Sequence, residues 1–397
     1  MITKGGTYSG NWDNTGTGER DAAIKIETSQ PVIIENSYIR SSKYGVDSRA
    51  WNTTVTLRNI YAYAVNPNIA GQRKACFVNM EEFNSVTMEN NWIEGFQCGL
   101  RAMNFDPNTK ANRSGQVVNV RFNQVRNVDG RESDGNGGYR FANSRMGQAF
   151  GLNSVNRGIA DIAWNEIINL PFQSETEDVI STYSSGGTAA KPMQIRFNYV
   201  QGAYHSDVAA AVSYSGVVIN LGDCEFNKNN PSAYPNIEAC EHVHAFNNRV
   251  VSFSNKGIDI IGGRNMKAYN NRAVSAQRAS DGTIIGATSR HGLGYWNIYE
   301  NPHWANNLMY DNYSKVVSSK GEASGTWFGP ADISFNALNY KNNTVIGTNE
   351  QYKPASNPAT RADEQAEYTA WKVEVTSSGI ALGPQRCALV EGIKICQ

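Results

Sequence analysis

The chain lacks an excess of either charge: among 397 residues, 36 are Lys or Arg and 36 are Asp or Glu, so the formal net charge is zero. Binding nucleic acid through phosphate neutralisation needs basic side chains gathered on one face, and a balanced chain disfavours that partner. No run of about 18 apolar residues is present, so no membrane span is expected. Cysteine is scarce, with six residues and no C-x-x-C spacing of the zinc-binding kind. Neither an EF-hand loop nor a Gly-Gly-x-Gly-x-Asp repeat occurs, so calcium is left open as a cofactor without a motif to hold it. Met1 is followed by Ile2-Thr3-Lys4-Gly5-Gly6-Thr7-Tyr8, which lacks the basic, apolar and cleavage regions of a leader; a mature or trimmed chain is expected.

What is abundant is uncharged polarity. Charged residues make up 18% and apolar residues 40%, while there are 46 asparagines and 36 glycines. Apolar and aromatic content is too high for disorder, so the chain folds. Its length suggests two or three domains, a prior that fails where one core grows by stacking repeats.

A pattern of apolar, any, apolar, any, any, Asn, any, apolar recurs along the chain. Its copies are Val86/Met88/Asn91/Ile93, Val118/Val120/Asn123/Val125, Ala160/Ile162/Asn165/Ile167, Met193/Ile195/Asn198/Val200, Val243/Ala245/Asn248/Val250 and Met266/Ala268/Asn271/Ala273. Trp296/Ile298/Asn301 and Leu338/Tyr340/Asn343/Val345 close the series. Two earlier copies, Val32/Ile34/Ser37/Ile39 and Val55/Leu57/Ile60/Ala62, keep the apolar positions without the Asn. Period two predicts strands, and the two-residue gap at the Asn predicts a sharp bend, for which Asn suits because it tolerates the left-handed region. A Gly before an aliphatic residue follows in several copies: Gly45-Val46, Gly99-Leu100, Gly257-Ile258. Units this short bury a core only by stacking, with equivalent Asn amides forming a ladder.

On these residues the chain resembles right-handed parallel β-helix proteins of the pectate-lyase-like superfamily, over roughly residues 1–347; the handedness is implied by the resemblance. The fold class expected is therefore all-β, a single-stranded solenoid of about ten or more coils, with residues 348–397 as a connector and small C-terminal cap. Within that segment a short helix is expected over Arg361 to Lys372, with Val373-Glu374-Val375 and the Cys387 to Cys396 stretch as small strands. Ser174 to Thr188, Leu221-Gly222-Asp223 and Gly257 to Gly263 resemble segments of secreted bacterial β-helix proteins. The calcium-and-arginine site of true pectate lyases and the acid-rich signature of polygalacturonases are not matched.

The cysteines fall into neighbouring pairs, Cys76 with Cys98, Cys224 with Cys240 and Cys387 with Cys396. Local disulfides fit an oxidising compartment, hence a secreted, periplasmic or cell-surface protein, the alternative being buried thiols.

A β-helix offers long sheets along which a glycan can lie, with inserted loops as walls. Stacked in register, the Asn-bearing strands gather Arg121, Asp161, Arg196 and His244 into a polar strip. Trp164, Phe246 and Tyr269 sit at the bend, either as platforms for sugar rings or as buried corner stacks. Insertions and acidic stretches supply Glu177, Asp178, His205, Asp207 and Asp223. Hydrolysis of a glycosidic bond uses two carboxyl groups at roughly 5 to 9.5 Å, which Glu177 or Asp178 with Asp207 or Asp223 would provide. β-Elimination on a uronic acid uses instead a base and a cation, roles open to Arg121, Arg196, His244 and His205. The expectation is a secreted enzyme cleaving a polysaccharide by one of these routes; the alternative is a non-catalytic glycan-binding or structural β-helix of the surface-protein or tailspike-like kind.

Overall fold

The computed structural model describes residues 1–104, 115–141, 147–204, 215–224, 240–285, 291–295, 297–317 and 359–390, with short strands at 323–324, 327–328, 339–341, 344–347 and 393–395. It is a parallel β-helix. The Asn-bearing repeats build one sheet of 19 strands, and a second sheet of ten strands forms another side of the solenoid. Successive coils pair in parallel and in register, as in Val86↔Val118↔Ala160 and Ile195↔Ala245↔Ala268.

The expected amide ladder is present and continuous. Asn91, Asn123, Asn165, Asn198, Asn248, Asn271 and Asn312 are each 2% exposed or less. The first six donate from Nδ2 to the Oδ1 of the next at 2.9 to 3.0 Å. The second Nδ2 proton goes to a carbonyl of the preceding coil, as from Asn165 to Val120 at 2.8 Å. The ladder amides are thereby satisfied, which removes the desolvation penalty that would otherwise forbid them. The bend itself is made differently from the expectation. The residue before each ladder Asn takes the left-handed conformation, with φ from 52° to 60°, and it is Phe122, Trp164 or Phe197 as readily as Asn90, Asn247 or Asn270. The ladder Asn is selected for its hydrogen bonds, not for its backbone freedom.

The series ends otherwise than its spacing suggested. Ile298 and Asn301 lie in turns, and the ladder continues through Asn312, next to the strand Leu308–Tyr310. Asn307 stands where that copy should carry an apolar residue, and it is buried and bonded to the Gly263 carbonyl at 3.0 Å. Asn339–Lys341 pairs antiparallel with Thr344–Gly347, so that stretch is a hairpin and not a further parallel coil. Trp296, Leu338 and Asn343 lie outside the described residues.

The core is the interior of the solenoid. Along the ten-stranded sheet one inward column runs Ile24, Val46, Val78, Leu100, Phe150, Ile180, Ile219, Ile258, Leu293, all 2% exposed or less. The glycine before this position lets coils close up: a Cβ on Gly257 would stand 2.4 Å from the Gly292 carbonyl oxygen.

The helix spans Arg361–Ser377, started by a Thr360 and Asp363 capping box. Val373-Glu374-Val375 is helical, not a strand, because Trp371 and Val375 fall on one face buried against Tyr199, Val251 and Val274. The segment lies along the flank of the solenoid. Asp363 pairs with Lys315, Glu367 with Arg272 and Arg249, Tyr368 with Glu166, the Gly383 amide with the Phe122 carbonyl, and the Gln385 amide with Asn59. Ala388–Val390 and Ile393–Ile395 form the small terminal hairpin.

Cys76–Cys98 and Cys224–Cys240 are disulfides, and Cys387 is disulfide-bonded; its expected partner Cys396 lies outside the described residues. No described helix is long and apolar enough to cross a membrane.

Candidate functional site

The outward column of the ten-stranded sheet is polar. In register it reads Lys25, Asp47, Asn79, Arg101, Gly151, Ser181, Asn220, Asp259, Gly294. A groove of about 780 Å³ runs across this face from Tyr44 through Gln97, Arg101 and Gln148 to Glu177, Asp178, Asn220, Asp223, Lys256, Asp259 and Tyr299. It crosses seven strands, an extent of about 29 Å at ~4.8 Å per strand.

Three of the expected acids meet here. Asp178 opens its strand and is 4% exposed; Glu177 precedes it, and Asp223 follows the strand Val217–Leu221 on the next coil. Two local features hold Asp223. Gly222, with φ +73°, packs against the Gly262 carbonyl where a Cβ would lie 2.0 Å away, and Cys224 is tied to Cys240. Asp223 Oδ1 accepts from the Tyr299 hydroxyl at 2.7 Å. Asn220 donates from Nδ2 to Asp178 Oδ2 at 2.9 Å, while its own Oδ1 is buried without a hydrogen bond. Asp259, on the adjacent strand and 1% exposed, accepts from Lys256 Nζ at 2.6 Å through Oδ2, and its Oδ1 is buried without a donor.

Burial raises the Asp178 carboxyl well above the ordinary carboxylate range, and the charges of Asp223 and Glu177 push it further, against the Asn220 hydrogen bond. Burial also raises Asp259, opposed by Lys256. The protonated form of Asp178 is therefore favoured beside other carboxylates, the disposition acid–base chemistry needs.

The other expected site residues stand elsewhere. Arg121, Asp161, Arg196, His244, Trp164, Phe246 and Tyr269 belong to the 19-stranded sheet and are not among the groove's lining residues. There Arg196 grips Asp161 through two bonds of 2.8 and 2.9 Å, and Arg121 reaches the same carboxylate at 2.6 Å, so both cations are already ion-paired to one shared anion. His244 is pushed down to about 4 by burial and by the Lys267 and His242 charges, which leaves it neutral near pH 7. The aromatics are not buried corners. Half-buried, they stack on one another: Trp164 on Phe197 at 4.5 Å, Phe246 on Tyr269 at 4.9 Å and Tyr269 on Tyr310 at 5.1 Å. Tyr269 is thus covered on both faces, while Trp164 and Phe246 each stack one face. Asp207 and His205 lie outside the described residues. The insertion acids Asp129 and Glu132 are bound to Lys74, Arg131, Arg73 and Arg140. Among the described residues no group of three His, Cys, Asp or Glu side chains stands ready to hold a metal ion.

Sequence reasoning missed Asn220, Lys256, Asp259 and Arg101. For Asn220 and Asp259 a signal existed, since each immediately follows an inward aliphatic residue of the ten-stranded sheet. Comparison with known proteins yields no matching family model, no similar curated protein and no similar solved structure.

Proposed function

We propose that this protein is a carbohydrate-active enzyme that hydrolyses a glycosidic bond in the groove over the ten-stranded sheet. The observation that carries the reading is Asp178, a buried carboxyl lining the groove beside Asp223 and Glu177, whose burial and acidic neighbours favour its protonated form. Asp178 gives its proton to the glycosidic oxygen as the bond to the anomeric carbon breaks. Asp223 or Glu177, ionised, takes a proton from the attacking water, whose oxygen bonds to that carbon; one water is consumed. The likeness of the repeats to the pectate-lyase-like superfamily supports a glycan as substrate. The disulfides support a secreted, periplasmic or surface location. Elimination is less well served, because Arg121 and Arg196, the cations it would use, are engaged by Asp161 on the other sheet.

Incubation with a panel of neutral and uronic polysaccharides tests this. A rise in reducing ends without new absorbance near about 232–235 nm is expected of hydrolysis, in which no unsaturated sugar forms. Absorbance in that window would assign elimination, and no cleavage of any polymer would favour a glycan-binding module.

A further inference from the structure

The groove is electrically polarised along its length. Two strands from that of Asp178, on the side toward Tyr44, it carries one cation, Arg101, which is exposed and has no ion-pair partner among the described residues. The carboxylates on neighbouring strands are engaged elsewhere: Arg49 contacts Asp47 at 3.1 Å and Glu81 at 3.8 Å, and Asp47 also accepts from Asn79 at 2.7 Å. On the side toward Asp178, the position in register with Arg101 is Gly151, and the Gln148 side-chain amide lies over it, its Oε1 2.1 Å from where a Cβ would stand. Arg101 lies two strands from Ser181 and three from Asn220, about 10 to 14 Å at the ~4.8 Å strand spacing.

We infer that the groove takes an extended glycan that is uncharged at the unit facing Asp178 and carries an anionic group, a carboxylate or a sulfate ester, on a unit two to three strand spacings away, where Arg101 binds it. A uronate at the centre would face Glu177 and Asp223, with Lys256 already paired to Asp259. At Arg101 an anion meets an uncompensated planar donor suited to two-point binding of carboxylate or sulfate. Gln97 and Gln148, which line the groove beside Arg101, supply amides for sugar hydroxyls. This assignment rests on the groove being the glycan site, but not on its being hydrolytic.

The test is therefore binding. D178N, which keeps the shape of a protonated acid, and D178N/R101A are run through gels containing a neutral homopolymer, a polyuronate, a polymer mixing neutral and uronic sugars, or a sulfated neutral polymer. D178N should be retarded most by the mixed or the sulfated polymer, which tells carboxylate from sulfate. R101A should weaken that association at least tenfold, and R101K should restore part of it. Strongest retardation by the neutral homopolymer or the polyuronate, equal retardation with and without Arg101, or none by any polymer overturns the inference. Retardation that depends on Arg101, with no cleavage by the wild type, would retire the hydrolase reading alone. Cleavage of a neutral homopolymer with an unchanged KM in R101A would retire the inference alone.

Discussion

Asn220 spans two coils to hydrogen-bond Asp178 at 2.9 Å, on a strand whose own in-register neighbour at that position is Asp259. An amide between two buried carboxyls accommodates either protonation state: its Nδ2 serves an ionised oxygen, and its Oδ1, buried without a donor, can accept from a protonated one.

Replacing Asp178 by Asn should lower the cleavage rate by about 10² to 10⁴-fold, the usual contribution of a general acid, with the fold intact. In the wild type the rate should fall at high pH as Asp178 loses its proton. It should fall at low pH as the ionised partner gains one, giving a bell. A pH profile of kcat for wild type and D178N checks both limbs; an unaltered alkaline limb in D178N removes Asp178 from this role.

Arg196→Ala should leave catalysis unchanged. Arg121 still pairs with Asp161, so the stability loss should be about 1 kcal/mol or less, as for partly exposed ion pairs. Urea unfolding alongside the activity assay separates the two; a large drop in kcat would return the 19-stranded face to consideration.

Asn165→Ala removes one rung of the ladder. Its amide donates to Val120 and Asn198 and accepts from Asn123, and the partners stay buried. A loss of about 2 to 4 kcal/mol is expected, since each orphaned buried group costs roughly 1 to 3 kcal/mol. Asn59→Ala, at a left-handed position outside the ladder, removes one exposed acceptor, that of the Gln385 amide, and changes backbone strain, and should cost less; denaturant midpoints compare them.

Glu364 on the strapping helix is raised by burial from its ordinary 4.5 to about 7, although the Ala276 amide and Arg361 oppose the shift. The folded state thus holds a proton that the unfolded state has lost between pH 4.5 and 7. Stability should therefore decline as pH rises through that window, by up to about 3 kcal/mol. Thermal unfolding of Glu364→Gln should lack this decline; an identical pH dependence would show that another group causes it.

Much of the fold was legible because its causes are local and repeated. Val118/Val120/Asn123 and its kin alternate with period two, and a stacked repeat places equal residues above one another, so strands, ladder and core could be read directly. The copy at Asn307, Met309 and Asn312 escaped because a buried polar residue replaced an apolar one, which only its bond to the Gly263 carbonyl makes tolerable. Helix was expected to end at Lys372, whereas packing of Trp371 and Val375 carries it to Ser377.

The site was legible only in part. Glu177 and Asp178 stood out as an acidic stretch and Asp223 as an acid of an inserted loop, and they meet in one groove. Arg121, Arg196 and His244 looked equally chemical in the sequence, yet they face another side. Alternation within a strand says that a residue points outward, not which side of the solenoid that outward face belongs to. By itself the sequence determined the repeat, the Asn ladder, the cysteine pairs and the all-β class, since each follows from residue spacing. Only the tertiary structure decided that Asn220 and Asp259 join Asp178, that Arg121 and Arg196 are consumed by Asp161, and that the C-terminal helix straps the flank, because these contacts depend on the number of residues each coil inserts between its strands.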